Sequence, residues 1–241
     1  MSGTDPEFGN EAMSTTVQIA RKLQRKMRSR EWLAAGRLPG QRELAAEMGV
    51  SRASLREAIA MLESLGLLRS EPGRGVFINR PGEGSALGAR GRWPFQDRYA
   101  LRDVYMVRNE LEELAVAMAA GVITPGGLAR LRATVELMRA AADAGDLLRA
   151  SDADHAFHAC IVEIAGSPML RDLAESIAEV VAHSRRLPFS DPDHVRDPIR
   201  EHEVIIDAMA TGSPKAARKA MRAHICNAAA RVGVALEIPG A

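Results

Sequence analysis

In the second half of the chain helix-capping residues stand directly ahead of proline, as at Thr124-Pro125, Ser167-Pro168, Asp191-Pro192 and Ser213-Pro214. Ser, Thr and Asp side chains accept from the free amides of a helix's first turn, where proline's fixed φ fits and its missing N–H costs nothing. Each pair therefore marks a helix start, and apolar residues recur at helical spacing after it. The periodicity predicts helices over about 99–120, 126–144, 146–165, 168–187, 195–211 and 214–236. No alternating β pattern interrupts them. Nine aromatic residues in the whole chain leave the core to Ala, Leu, Ile, Val and Met, which suits closely packed helices.

Residues 15–80 follow a different plan. Val17, Ile19, Ala20, Leu23 and Met27 recur at helical spacing opposite a face of Arg and Lys, which predicts one amphipathic helix over 16–32. A second helix fits 41–48, with Leu44, Ala45 and Met48 inward and Gly49 supplying the left-handed residue that ends it. Ser51 caps a third over 53–65, whose Leu55, Ala58, Ile59, Leu62 and Leu65 point inward while Arg52, Ser54 and Arg56 stand free at its start. Gly66 ends that helix, and short strands at 68–70 and 76–79 flank the turn Glu71-Pro72-Gly73-Arg74-Gly75. Helix, helix, glycine turn, helix, hairpin is the order of a winged helix-turn-helix. Charge points the same way. This segment holds 13 Lys/Arg against 6 Asp/Glu, whereas 81–241 holds 19 against 22, so the overall +1 averages a basic piece and a mildly acidic one. A basic stretch of this size suits a polyanion partner.

The motifs Leu38-Pro39-Gly40-Gln41-Arg42-Glu43-Leu44-Ala45, Gly49-Val50-Ser51-Arg52, Leu55-Arg56-Glu57-Ala58, Leu62-Glu63, Gly66-Leu67-Leu68 and Gly73-Arg74-Gly75 resemble the GntR family of bacterial transcription regulators over about residues 16–79. Many members have Ser-Glu where this chain has Gly40-Gln41, a change that weakens the second helix's cap and leaves the arginines untouched. The resemblance implies double-stranded DNA as a partner. Arg52 and Arg56 would then meet base edges, Arg42 would anchor a phosphate or a base, and Ser51 and Ser54 would line the same entrance. Gly73 would let the wing backbone approach the minor groove, and Arg74 would enter it. Palindromic operators in turn imply a two-fold homodimer.

All six histidines, His155, His158, His183, His194, His202 and His224, fall after residue 150. Asp154 and His158 are spaced i, i+4 on a face that also carries Leu147, Ser151, Ile161 and Ala165. His202 shares a stripe with Ile199, Ile205, Ile206 and Met209, and His224 shares one with Ala217, Met221 and Ala228. Three helices thus aim polar groups into one core, where each is costly unless hydrogen-bonded, charge-paired or metal-bound. One carboxylate and three imidazoles suit a shared divalent Zn, Ni, Mn or Fe ion without selecting among them. The alternative is that each histidine hydrogen-bonds separately. Arg108 falls on the inner stripe Val104, Arg108, Leu111, Ala115, Met118, and a guanidinium is shaped to grip a carboxylate at two points. Its alternative is an ion pair with Glu112 or Asp154. Arg185 and Arg186, at a helix end, are weaker candidates.

The order Asp154-x-x-x-His158, then His202 ahead of Ile205, then His224 in the last helix resembles the FCD effector domain of the FadR subfamily of GntR regulators, over about 98–236. That resemblance implies an antiparallel helical bundle and a divalent metal held by Asp154, His158, His202 and His224. It further implies a small-molecule effector near the metal, an organic acid in many members, and dimerisation through the helical domain. His155, His183 and His194 have no counterpart in the pattern and read as solvated or structural. The expected protein is mainly α: 13–80 a winged helix-turn-helix, 81–98 a linker rich in Gly and Pro, and 99–236 an all-helical effector and dimerisation domain. Residues 1–10 read as a vector remnant, so 1–12 stand outside the fold. Two cysteines, Cys160 and Cys226, give no disulfide framework, and no apolar run reaches membrane-spanning length; both point to the cytoplasm. A metal-dependent hydrolase tethered to a DNA-targeting module would use the same four ligands. It lacks a His-Glu-x-x-His run, and Asp154 is spent as a ligand. A regulator whose metal is purely a structural clamp is the third reading.

Overall fold

A computed structural model describes residues 15–27, 29–79, 95–187 and 194–236; the leader, most of the linker and the Asp191-Pro192 pair lie outside them. The helix expected over 16–32 is two helices, α1 (Thr15–Met27) and α2 (Arg30–Ala35). Ser29 is the cause. Its backbone is extended and its hydroxyl accepts from the Trp32 amide at 3.3 Å, so it opens a new helix instead of continuing the old one. The corner lets Trp32 join Ile19, Leu23 and Met27 in a single core.

Helix α3 (Gln41–Met48) starts at Gly40 with no side-chain cap, as the departure from Ser-Glu implies, and ends at Gly49 with φ 67°. Helix α4 (Arg52–Ser64) is capped by Ser51, whose hydroxyl accepts from the Ser54 amide at 3.0 Å. Its Leu55, Ala58, Ile59 and Leu62 are buried where α4 meets α1 and α3. Strands β1 (Leu68–Glu71) and β2 (Gly75–Ile78) pair antiparallel with Leu68 opposite Ile78. The segment after α2 adds a further edge that the sequence pattern did not announce. Leu38 N donates to Val76 O at 2.8 Å and Ile78 N to Gly36 O at 2.9 Å, tying the wing to the helices.

The second half is helical throughout its described residues: α5 (Leu101–Val122), α6 (Pro125–Asp143), α7 (Leu147–Ala165), α8 (Pro168–Ser176), α9 (Ala178–Arg186), α10 (Asp197–Ala210) and α11 (Pro214–Arg231). Helix α5 lies against α11 and α7, α6 against α7 and α10, and α10 against α11. Thr124, Ser167 and Ser213 each accept from the amide three residues on, at 3.1–3.3 Å. Three expectations need correction. The helix expected over 168–187 is α8 and α9, which meet at Ile177; α10 begins at Asp197 with Pro198 in its first turn; and α11 ends at Arg231, before Gly233 at φ 76°. Ile177 is no helix breaker by propensity, so the bend is a packing effect: α9 turns Val181 and Ser184 inward, whereas α8 buries Leu170.

The two halves touch at one corner. Gln24 Nε2 on α1 donates to Gly145 O between α6 and α7 at 2.9 Å. Arg21 reaches Asp146 Oδ2 at 3.5 Å and Asp152 Oδ2 at 3.8 Å. At the end of the linker Phe95 O accepts from the Arg98 and Tyr99 amides, and its ring meets His183 edge-on at 5.4 Å. No helix among the described residues is long and apolar enough to cross a membrane.

The caps make a direct prediction. Replacing Ser213 with Ala removes the acceptor at the start of α11 and lowers stability by about 1 kcal/mol, read as a shifted urea midpoint at unchanged slope, whereas Ser213→Asp keeps wild-type stability.

Candidate functional site

Helix α7 turns Asp154 and His158 into the bundle one turn apart, α10 brings His202 from among Ile199, Ile205, Ile206 and Met209, and α11 brings His224 from among Ala217, Met221 and Ala228. All four are buried, and one donor atom from each lies within 4.8 Å of the others. Two bonds of about 2.1 Å to one ion would hold opposite donors about 4 Å apart, so the cluster is close to metal-binding dimensions.

Neighbouring side chains orient these rings. Glu112 Oε2 on α5 lies 2.5 Å from His158 Nδ1, and Glu201 Oε2 on α10 lies 2.8 Å from His224 Nδ1. Phe157 stacks on His202 with ring centroids 3.8 Å apart and planes 9° from parallel. What remains is informative. His158 Nε2 and both nitrogens of His202 have no hydrogen-bond partner among the described residues, with Asp154 Oδ1 3.4 Å from His202 Nε2. Buried polar nitrogens are rarely left this way, and a shared cation satisfies them together. Burial holds the His158 imidazole down to about 4, with Arg185 adding to the effect and Glu112 opposing it. Burial, reinforced by His224 and His158, holds His202 well below 6.5. Both rings are neutral at pH 7, the form that offers a lone pair to a metal.

Glu112 has further partners. Its Oε1 accepts from Arg108 Nε and from a terminal nitrogen of Arg185, each at 3.0 Å. Burial alone would raise this carboxyl, but Arg185, His158 and Arg108 together hold it well below the ordinary range. Arg108 is 2% exposed and also donates to Ser184 Oγ at 3.2 Å. The ion-pair alternative for Arg108 is thus present in the structure, with Glu112 as partner. Its supposed stripe needs correction at one end. Val104 and Ala115 are buried, Leu111 is half-buried and Met118 is 37% exposed, because ten residues after Arg108 leave Met118 about 80° round the helix from it. Arg108 and Arg185 also border a cavity of about 550 Å³ that reaches His158.

Of the remaining histidines, His155 is exposed with Nδ1 3.4 Å from Arg185, His183 is half-buried against Phe95, and exposed His194 lies 2.8 Å from Asp197; none joins the cluster. Sequence reasoning missed Glu201 and Phe157, and took Glu112 only as a partner for Arg108. A signal for Glu112 was present: an acid four residues after an inward arginine, on the same helical face, needs a buried partner.

At the other end Arg42, Arg52 and Arg56 are exposed and have no ion-pair partner among the described residues, with Arg52 and Arg56 one turn apart on α4. The Ser51 hydroxyl is engaged in the cap and lies 2.9 Å from that of Ser54. Arg74 pairs with Glu71 at the wing tip, beside Gly73 at φ 73°.

A winged helix-turn-helix with unpaired arginines at the head of α4, joined to a helical bundle around a buried Asp/His cluster, is a DNA-binding transcription regulator with an effector domain. Comparison with known proteins gives the family. The chain belongs to the gntR family of bacterial regulatory proteins, matched over residues 15–78, and carries an FCD domain over residues 103–227. It is 31% identical over 216 residues to an Escherichia coli (strain K12) protein described as an L-lactate dehydrogenase operon regulatory protein, covering 86% of this chain and 82% of that one. It is 26% identical over 213 residues to the HTH-type transcriptional repressor NanR of Citrobacter rodentium (strain ICC168), covering 86% and 81%. The solved structure of E. coli McbR/YncC shares the fold, with a TM-score of 0.52 at 21% identity over 90% of this chain and 96% of that one.

The depressed imidazoles set a pH dependence. The unfolded chain takes up protons near pH 6.5 while folded His158 resists them down to about 4, so metal-free protein loses stability as pH falls between those values. Urea unfolding after chelation at pH 7.5 and at pH 5 measures it, and a His158→Gln variant shows a shallower decline.

Proposed function

We propose that the protein binds palindromic operators as a homodimer and that a small carboxylate, bound beside a divalent metal in the helical domain, controls that binding. The observation that carries this reading is the buried set Asp154, His158, His202 and His224, with unpartnered nitrogens, next to a cavity bordered by Arg108 and Arg185. Those four residues would hold the ion, Glu112 and Glu201 would orient two of the rings, and Phe157 would set the plane of a third. A divalent Zn, Ni, Mn or Fe ion, when bound, supplies a Lewis-acid centre open to a carboxylate oxygen. Arg108 and Arg185 would grip the effector's remaining charge. A relative named for an L-lactate dehydrogenase operon supports a carboxylate effector, and one named as a repressor supports repression.

At the DNA, Arg52 and Arg56 would read base edges and Arg42 would hold a phosphate or a base, with Ser51 and Ser54 shaping the entrance and Gly73 and Arg74 serving the wing. The effector domain would reach this surface through the Arg21 and Gln24 corner, because α7 carries both Asp152 and the cluster residues Asp154 and His158. Those ion pairs are long and partly exposed, so they serve as a positional link more than as a source of stability. A second copy would cover the stripe Val107, Leu114, Met118 and Val122, which α5 leaves exposed on one face. Cytoplasmic location follows from the DNA partner. A hydrolase reading gains no support: Glu112 and Glu201, the acids nearest the cluster, are both occupied by imidazoles and arginines, which leaves neither as a general base.

Arg52→Ala should weaken operator binding about 10–100-fold and relax specificity at one position, while Arg42→Ala should reduce the salt dependence by about one phosphate contact. Fluorescence anisotropy across a salt series reads both. Chelation should abolish carboxylate binding in calorimetry while the protein stays folded; a lower Tm with ligand binding intact would instead make the metal a clamp.

A further inference from the structure

The cavity beside the buried cluster is chemically two-ended. Its walls come from α5, α7, α8 and α9, and Leu111, Val162, Leu170, Ala174, Ile177 and Val181 make most of them apolar. Its inner end is different. There the guanidinium groups of Arg108 and Arg185 share the single carboxylate of Glu112, which His158 also uses. Arg185 Nε, buried, has no hydrogen-bond partner among the described residues. Asp154, the other buried acid beside Arg108, is assigned to the metal, so the two guanidinium groups share Glu112 alone and positive charge is left at the head of an apolar chamber, where charge without a counter-ion is costly. The outer end carries Glu163 and Glu175 against Arg171, and Glu163 is already paired with Arg130.

Resting on the carboxylate reading above, we infer that the effector is a monocarboxylate with an unsubstituted aliphatic or aromatic body: the head at Arg108 and Arg185, the body along Leu111, Val162, Ala174 and Val181. A volume of about 550 Å³ is in the range of cavities that enclose drug-sized ligands, and a three-carbon hydroxy acid would leave most of it without contacts. The hydroxyl groups of a sugar acid lying between the two charged ends would face the aliphatic side chains of Leu111, Val162, Ala174 and Val181. A second carboxylate at the far end would meet the acids of the rim. The bend at Ile177 gives the chamber its outer wall, since α8 and α9 each turn one apolar face towards α5 and α7.

Calorimetric titration of the metal-loaded full chain with acetate, lactate, butanoate, hexanoate, octanoate and 3-phenylpropanoate tests this. Affinity should rise about fourfold per added methylene until the chamber is full, with an increasingly negative heat-capacity change. Ala174→Phe should cut octanoate affinity at least tenfold and leave acetate unchanged, while the wild-type series stands as a test even if that variant folds poorly. If lactate binds as tightly as hexanoate and chain length has no effect, the apolar-body inference is overturned while the carboxylate reading stands. If 1-octanol or octanamide binds as well as octanoate, the carboxylate reading falls and the apolar chamber stands. If no acid of any length binds, both fall.

Discussion

One buried carboxylate, Glu112, sits where α5, α7 and α9 converge and answers Arg108, Arg185 and His158 at once. In water such contacts are worth little, but in a desolvated bundle a cation without its partner costs several kcal/mol. The positions of the three helices are therefore linked through a single acid. Where Glu112 goes, the imidazole of His158 follows, and with it the geometry of the cluster that α10 and α11 complete. The same acid and both arginines also line the adjoining cavity.

Among the described residues the winged half meets the helical half where α1 faces the start of α7, through one hydrogen bond and two long ion pairs. Arg21 and Gln24 belong to α1, which packs along α4, the helix with Arg52 and Arg56 at its head. Their partners Gly145 and Asp146 lie just ahead of α7, and Asp152 lies within it, two residues before Asp154. Helix α1 therefore touches both the start of α7 and the helix that carries Arg52 and Arg56.

Much of this was legible in the residues. The cap-proline pairs at Thr124, Ser167 and Ser213 open helices where expected, because capping is local and needs only the next three amides. Asp154, His158, His202 and His224 could be brought together on paper because each stands on the inward stripe of its own helix, and a core has only one inside. Ser29 also carried a local signal, its hydroxyl ahead of Arg30-Glu31-Trp32, which the apolar periodicity running through it obscured. Ile177 carried none. Its bend arises from how α8 and α9 lean on α5 and α7.

The sequence by itself determined which side chains face inward and where most helices begin, since both follow from the 3.6-residue repeat and from hydrogen bonds closed within a single turn. It also determined the separation of a basic half from a mildly acidic one. Only the tertiary structure decided which inward groups meet. Glu112 against His158, Glu201 against His224, Phe157 flat on His202, and Arg185 beside Arg108 are contacts across five helices, set by their azimuth and axial offset. Periodicity assigns a residue to a face and says nothing about its height against a neighbour, and at that height the cluster, its orienting acids and the chamber come into register.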